Sequence, residues 1–478
     1  MGNRPCTASI QILDDDSLLH VFYLYRPFLL GEDEDDNDRM IGGLNSWVRG
    51  RWWYTLAHVC RRWRNVILRS ASYLDLSLVC TKGTPVADML AFSPPLPLVI
   101  DHIGHIATED EEGTILALKQ RHRVRRIRFL VLAINLPELI MAIDEEYPML
   151  EYLIIESPVE DKSTVLTFPE TFRAPRLRQL VLRGFALPIG PRLLTTAAGL
   201  VTLYLSIVHP STYFHPSALL QWISLMPQLE TFTIFFNFSI PNSDIESQLT
   251  NMPIIAPVQL LNLRHFQFHG VSTYLEALLH RITAPRLEKL EIEFFTQLAL
   301  FVPCLLQFMS TAEHFRFDSV RLGFLRDLAY ARVYLHGTAE EHFLSIAVLC
   351  WDLDGQVSSM IQILNSLSQL FSAMEHLTLG HEVHSQSSEE HNEVDRTEWR
   401  KLLSSFSNVK TLRILKGLAE EFSRCLQLED EEFPLELLPE LQELTYSGSG
   451  DTGDVFTSFI NARQNAGHPV TLVLNQDV

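Results

Sequence analysis

A spaced unit, apolar-x-x-apolar-x-apolar, recurs from residue 124 onward and narrows the architectures open to this chain. It reads Val124/Ile127/Phe129, Leu150/Leu153/Ile155, Leu177/Leu180/Leu182, Leu200/Leu203/Leu205 and Leu229/Phe232/Ile234. It continues as Leu263/Phe266/Phe268, Leu287/Leu290/Ile292, Met374/Leu377/Leu379, Val409/Leu412/Ile414 and Leu441/Leu444/Tyr446. The last two apolar positions are two apart, so each unit is expected to give a short strand with that pair turned to one face. Several units open alike, as in Ala174-Pro175-Arg176-Leu177, Ala284-Pro285-Arg286-Leu287 and Met226-Pro227-Gln228-Leu229. A proline there suits the end of a preceding helix, which it cannot continue. Tyr274 to Ile282 has helical character, and the natural arrangement is a right-handed stack of strands and connecting helices. A doubly wound domain would call for a glycine-rich turn that this sequence lacks.

Successive units up to residue 287 start about 23 to 34 residues apart, close to the leucine-rich repeat period of roughly 20–29. The turn position usually held by Asn or Cys is filled that way only at Asn237; Phe185, Val208, Val271 and Phe295 stand at others. Phe315 to Trp351 reads as three strands, Ser319–Leu322, Ala331–Leu335 and Leu344–Leu349, without the full unit. The expectation is therefore an irregular α/β solenoid over residues 73–478. Residues between the inward pairs should line its open strand face, among them Gln179, Arg183, Tyr204, Phe235, His265 and His269. These are the candidate target-binding residues, with Tyr204 and Phe235 as aromatic anchors of the kind enriched in binding hot spots.

An apolar fraction of 47% and an aromatic fraction of 10% belong to a folded chain. A net charge of −20 argues against nucleic acid or an anionic membrane as the principal partner. Six scattered cysteines without a Cys-x-x-Cys pair fit a reducing intracellular compartment, cytoplasm or nucleus, better than a disulfide framework or structural zinc. Met1 to Ser9 has no apolar run of a secretory signal, and Phe129 to Ile143 is interrupted by Asn135, Pro137 and Glu138. Asp451-Thr452-Gly453 spells the aspartic-protease triplet, but its glycine- and serine-rich flanks read as a turn. His381, His384 and His391, with Glu389 and Glu390, have zinc-ligand chemistry but sit in a polar segment with no fixed spacing. The basic run Lys119 to Arg128 interleaves with Val124 and Ile127, so its arginines are expected to stay solvated around a buried strand. No cofactor, no metal and no enzymatic chemistry is expected.

The N-terminus reads differently. Leu56, Val59, Cys60, Trp63, Val66 and Ile67 recur at helical spacing, with Arg61, Arg62 and Arg64 on other faces. Some forty residues earlier, Asp14-Asp15-Asp16-Ser17-Leu18-Leu19-His20-Val21-Phe22 reads as a helix with acids at its start. Between them Glu32 to Asp38 carries six acids, an expected solvated loop within about 31–43.

Leu13-Asp14-Asp15, Leu18-Leu19-x-Val21-Phe22 and Val59-Cys60-Arg61-Arg62-Trp63-Arg64 together resemble the F-box, which docks substrate receptors onto the Skp-type adaptor of cullin-RING ubiquitin ligases. With Tyr73 to Pro85 and the Ala-Pro-Arg-Leu units, the layout is similar to F-box-like proteins of mushroom-forming fungi with degenerate leucine-rich repeats. The resemblance implies an F-box-like module over 1–72 ahead of the solenoid, and a non-catalytic receptor with two partners, the adaptor and an unknown target protein. It implies adaptor contacts from Leu18, Leu19, Phe22, Val59, Trp63 and Ile67. An alternative is an interaction scaffold with a degenerate F-box and no ligase role, since the proline that usually follows the first leucine is absent and the acidic insert is long.

Overall fold

The structure is a computed structural model. It describes residues 13–26, 51–81, 84–104, 111–131, 136–143, 145–156, 166–187, 191–207, 213–236, 256–295, 302–312, 315–337, 342–381, 396–415, 418–426, 436–447 and 456–475. The acidic insert, the Asp451-Thr452-Gly453 triplet, Asn237, Val208, Glu389, Glu390, His384 and His391 lie outside these residues.

The chain divides into two compact units, Met1–Leu200 and Val201–Val478. The boundary expected near residue 72 falls inside the first. That unit begins with three helices, α1 (Asp15–Tyr25), α2 (Trp52–Ala57) and α3 (Arg61–Arg69). The single helix expected from Leu56 to Ile67 is broken at His58–Cys60. Cys60 is extended and its Sγ accepts the Trp63 amide at 3.5 Å, so it starts a new helix instead of continuing the old one. A parallel sheet follows, in the order β1 (Leu78–Thr81), β2 (Leu98–Gly104), β3 (Val124–Val131), β4 (Tyr152–Glu156) and β6 (Gln179–Arg183). The two-residue strands β5 (Leu166–Thr167) and β7 (Phe185–Ala186) pair separately. Leu78 lies opposite Leu98, where the first strand pairs with the second. The chain turns at Asp75, which takes a left-handed conformation (φ 50°), before entering β1 at Leu78.

The second unit holds an eleven-stranded sheet among the described residues. Its strands are β8 (Thr202–Ile207), β9 (Thr231–Phe236), β11 (His265–Gly270), β13 (Lys289–Phe294), β14 (Ser319–Phe324), β15 (Leu328–Tyr334), β16 (Phe343–Leu349), β17 (His376–His381), β18 (Thr411–Ile414), β19 (Glu443–Ser447) and β20 (Thr471–Asn475). The short β10 (Val258–Gln259) and β12 (Ile282–Thr283) form a parallel pair beside it. Neighbours follow chain order except in one place: β13 pairs in parallel with β16, which is followed by β15, β14 and then β17. β14, β15 and β16 are joined antiparallel, which is why this stretch lacks the repeated unit. The fold is mixed α/β with mostly parallel strands.

The repeated apolar triplets supply the core. Leu177, Leu180 and Leu182, then Phe232 and Ile234, Phe266 and Phe268, Leu290 and Ile292, and Leu412 and Ile414 are all at most 2% exposed. Full burial of one such side chain stabilises by about 1.5–3 kcal/mol. Phe232 and Phe266 stack at 5.2 Å from successive strands, as in-register neighbours on a parallel sheet do.

Candidate functional site

Two kinds of surface could carry function, the N-terminal helices of the first unit and the outward strand face that each unit has. In the first unit, α1 is capped by Asp14, whose Oδ1 accepts the Ser17 amide at 2.7 Å. The Ser17 amide and hydroxyl hold the exposed Asp14 carboxyl below its usual pKa. Leu18 and Phe22 are buried on the inner face of α1, and Ile67 and Val66 on that of α3. Phe22 meets Trp63 edge-on at 4.9 Å, a geometry worth about 0.5–1.5 kcal/mol beyond the area buried. The expected adaptor residues therefore divide. Leu18, Phe22 and Ile67 hold the helices together. Leu19 and Trp63 are half-buried, and Val59 is 57% exposed in the break between α2 and α3.

Spacing alone missed the outer face of α1. Val21, Leu24 and Tyr25 are 43%, 57% and 58% exposed. At i, i+3 and i+4 they share one face of a short helix, an exposed apolar patch of the kind that marks interaction sites. Between α1 and α3 runs a groove of about 450 Å³, lined by Asp15, Asp16, Leu19, Arg61, Arg62 and Arg69 among others. Arg62 closes one side of it, donating from Nε to Asp15 Oδ1 at 2.9 Å and from Nη2 to the Leu13 carbonyl at 2.5 Å.

Asp75 is a central link between the helices and the sheet. Asp75 accepts Arg26 Nη2 from the end of α1 at 3.1 Å and also Arg125 from β3, while Arg125 Nε holds Glu151 at 2.9 Å. Trp53 Nε1 of α2 adds a bond to the Ser77 carbonyl at 3.2 Å. These links use part of the basic run. Of its other arginines, Arg121 pairs with Glu145, Arg123 donates to the Leu96 and Pro94 carbonyls, Arg126 lies over the Tyr152 ring and Arg128 is buried. The cluster is internal wiring more than an open cationic surface, so only part of it stays solvated as expected.

The second surface is the strand face turned away from the core. Gln179 is half-buried and Arg183 is exposed, 3.8 Å from Glu156. In the second unit Tyr204, Phe235 and His265 are half-buried, and His265 Nε2 lies 3.0 Å from Glu291 Oε1. His269 departs from expectation. It is 5% exposed, with the Phe235 ring at 3.9 Å and Phe295 at 4.8 Å. Burial pulls its pKa down to about 4, although Glu293 Oε1 stands 3.3 Å from Nε2. Glu293, also desolvated, is pushed up, so the pair resists carrying two charges. His269 packs under Phe235 and is closed off from solvent. Ser206 and Val181 are buried as well, and so is Thr233, whose side chain is shaded by β8 and β11 about 4.8 Å away on either side.

Among the described residues no group of three His, Cys, Asp or Glu side chains is placed to hold a metal ion. Nor is any described helix long and apolar enough to cross a membrane. No family model matches this chain, and no curated protein matches it at a significant level.

Proposed function

We propose that this protein is a non-catalytic recognition subunit, an F-box-like module ahead of an irregular leucine-rich-repeat-like solenoid. It docks to a Skp-type adaptor of a cullin-RING ligase through its N-terminal helices and holds a target protein on its strand face. The observation that carries this reading is the set of exposed apolar side chains on the N-terminal helices, Val21, Leu24 and Tyr25 on the outer face of α1 and Val59 between α2 and α3. Fixed coupling through Asp75 supports it, since a receptor must present its target at a defined place. The adaptor contact is assigned to Val59, Leu19 and Trp63 together with the open face of α1, and Leu18, Phe22 and Ile67 act as their support.

Co-purification with the adaptor is the test. Val21→Asp/Leu24→Asp should abolish binding without unfolding the module, because both positions are open. Trp63→Ala should weaken binding and also loosen Phe22. Adaptor binding undiminished in the double variant would remove this docking surface, and failure of the parent chain to bind at all would end the ligase reading. A specific observation favours the second reading, a scaffold without a ligase role: the α2–α3 break interrupts the stripe on which the F-box resemblance rests.

A further inference from the structure

Within the strand face of the second unit, β14 and β15 place Arg321 directly opposite Arg332, and β17 and β18 continue the row through Thr378 to Arg413. Like charges directly opposed across strands are destabilising. A chain of net charge −20 nevertheless places three arginines in this one row.

The three are not equivalent. Arg332 lies over the Phe343 ring at 4.9 Å and the Tyr330 ring at 6.0 Å. Its charge is felt by Glu291, two strands away across the small Ser345. Arg321 and Arg413, by contrast, make no ion pair or hydrogen bond among the described residues, and Arg321 Nε is buried without a partner. Gly323, next along the face from Arg321, leaves room for the Tyr330 ring, into which any Cβ there would run. Gly380 lies beside it in register with the Leu415 side chain against it, so the Tyr330 ring and Leu415 border the row of arginines on that side.

We propose that Arg321 and Arg413 form the recognition point for an acidic, extended segment of the bound protein, with Arg332 behind them raising the local potential. The proposal rests on the reading of this face as the target surface. Two intervening strand spacings separate the arginines by about 9.5 Å, and alternate side chains of an extended peptide recur about every 6.5–7 Å. Two long guanidinium side chains span that difference, and each is a planar fork matched to a carboxylate.

The test uses the full chain and a fluorescent eight-residue peptide alternating Glu and Ala, with a Gln/Ala peptide of equal length as reference. Anisotropy should report at least tenfold tighter binding of the Glu peptide at low salt. Arg321→Gln/Arg413→Gln should remove that preference, and so should Arg413→Glu alone, whose exposed position leaves the fold intact. Arg178→Gln/Arg192→Gln, two exposed arginines of the first unit, removes equal charge and should change binding less than twofold. Equal losses in both double variants would mean net charge alone acts, and no preference for Glu over Gln in the parent would likewise overturn the proposal. Adaptor co-purification with no acidic preference defeats this inference alone; acidic preference without adaptor binding defeats only the ligase reading.

Discussion

Asp75→Asn isolates the coupling between the N-terminal helices and the first sheet. Asn tolerates the left-handed conformation as Asp does, so the backbone at φ 50° is unaffected. What is lost is charge: the pairs with Arg26 and Arg125, in which the Asp75 side chain is 42% exposed and the arginines 27% and 35%. Exposed pairs contribute about 0.2–1 kcal/mol each after screening, so the two together give roughly 0.5–2 kcal/mol. In the variant, amide hydrogen exchange across 13–26 should quicken about 2- to 30-fold at low salt. Exchange in β3 and β4 should hold, because Arg125 keeps Glu151. In 1 M salt, where the Debye length is about 3 Å, parent and variant should converge. Indistinguishable exchange in α1 at low salt would refute the idea that Asp75 couples the helices to the sheet. Limited proteolysis of the parent should spare 68–80, and early cleavage there would argue the same way.

His269 binds its proton more weakly folded, at about 4, than unfolded. Its contribution should be whole above about pH 6.5, fall as pH drops to about 4, and level off below; the shift corresponds to up to about 3 kcal/mol. Urea denaturation from pH 7 to 4 should show a steeper decline for the parent than for His269→Phe, and parallel curves would contradict the buried neutral imidazole. Tyr204→Ser/Phe235→Ser should reduce target capture in proximity labelling. It should also uncover His269, raising its pKa toward 6.5 by NMR titration, and an unmoved titration would mean Phe235 does not shield it. Arg463 is 0% exposed and donates to the carbonyls of Leu437, Leu438, Pro439 and Leu441. Arg463→Met should leave these oxygens unpaired and cost about 2–4 kcal/mol; a melting transition unchanged within 1 °C would show that water replaces it.

The strands of the parallel sheets were legible because Leu177, Leu180 and Leu182, and their counterparts, repeat one burial pattern that depends only on local alternation. The strands Ser319–Leu322, Ala331–Leu335 and Leu344–Leu349 were also readable, but not their reversed order, since pairing partners are chosen by tertiary packing. The helix break at Cys60 left the apolar spacing intact, so periodicity ran straight through it. A weak thiol cap carries no apolar signal. The open face was placed correctly for Arg183 and misjudged for His269, whose burial is set by Phe235 and Phe295, one residue on a neighbouring strand and one beyond β13. The outward face of α1 was overlooked for the opposite reason: Val21, Leu24 and Tyr25 look like core residues in a sequence.

The reversal at β14 to β16 has a consequence for the order in which the protein is made. In the second unit, β8, β9, β11 and β13 can each be laid beside the one before as they leave the ribosome. The next partner of β13 is β16, which begins about fifty residues after β13 ends. At roughly 5–20 residues per second, the free edge of β13 waits about 3–10 s for its neighbour. During that interval Lys289, Glu291 and Glu293 stand along the unpaired strand, and charged side chains on an edge discourage pairing with another chain. Those residues thus guard a nascent edge before they become part of the finished face.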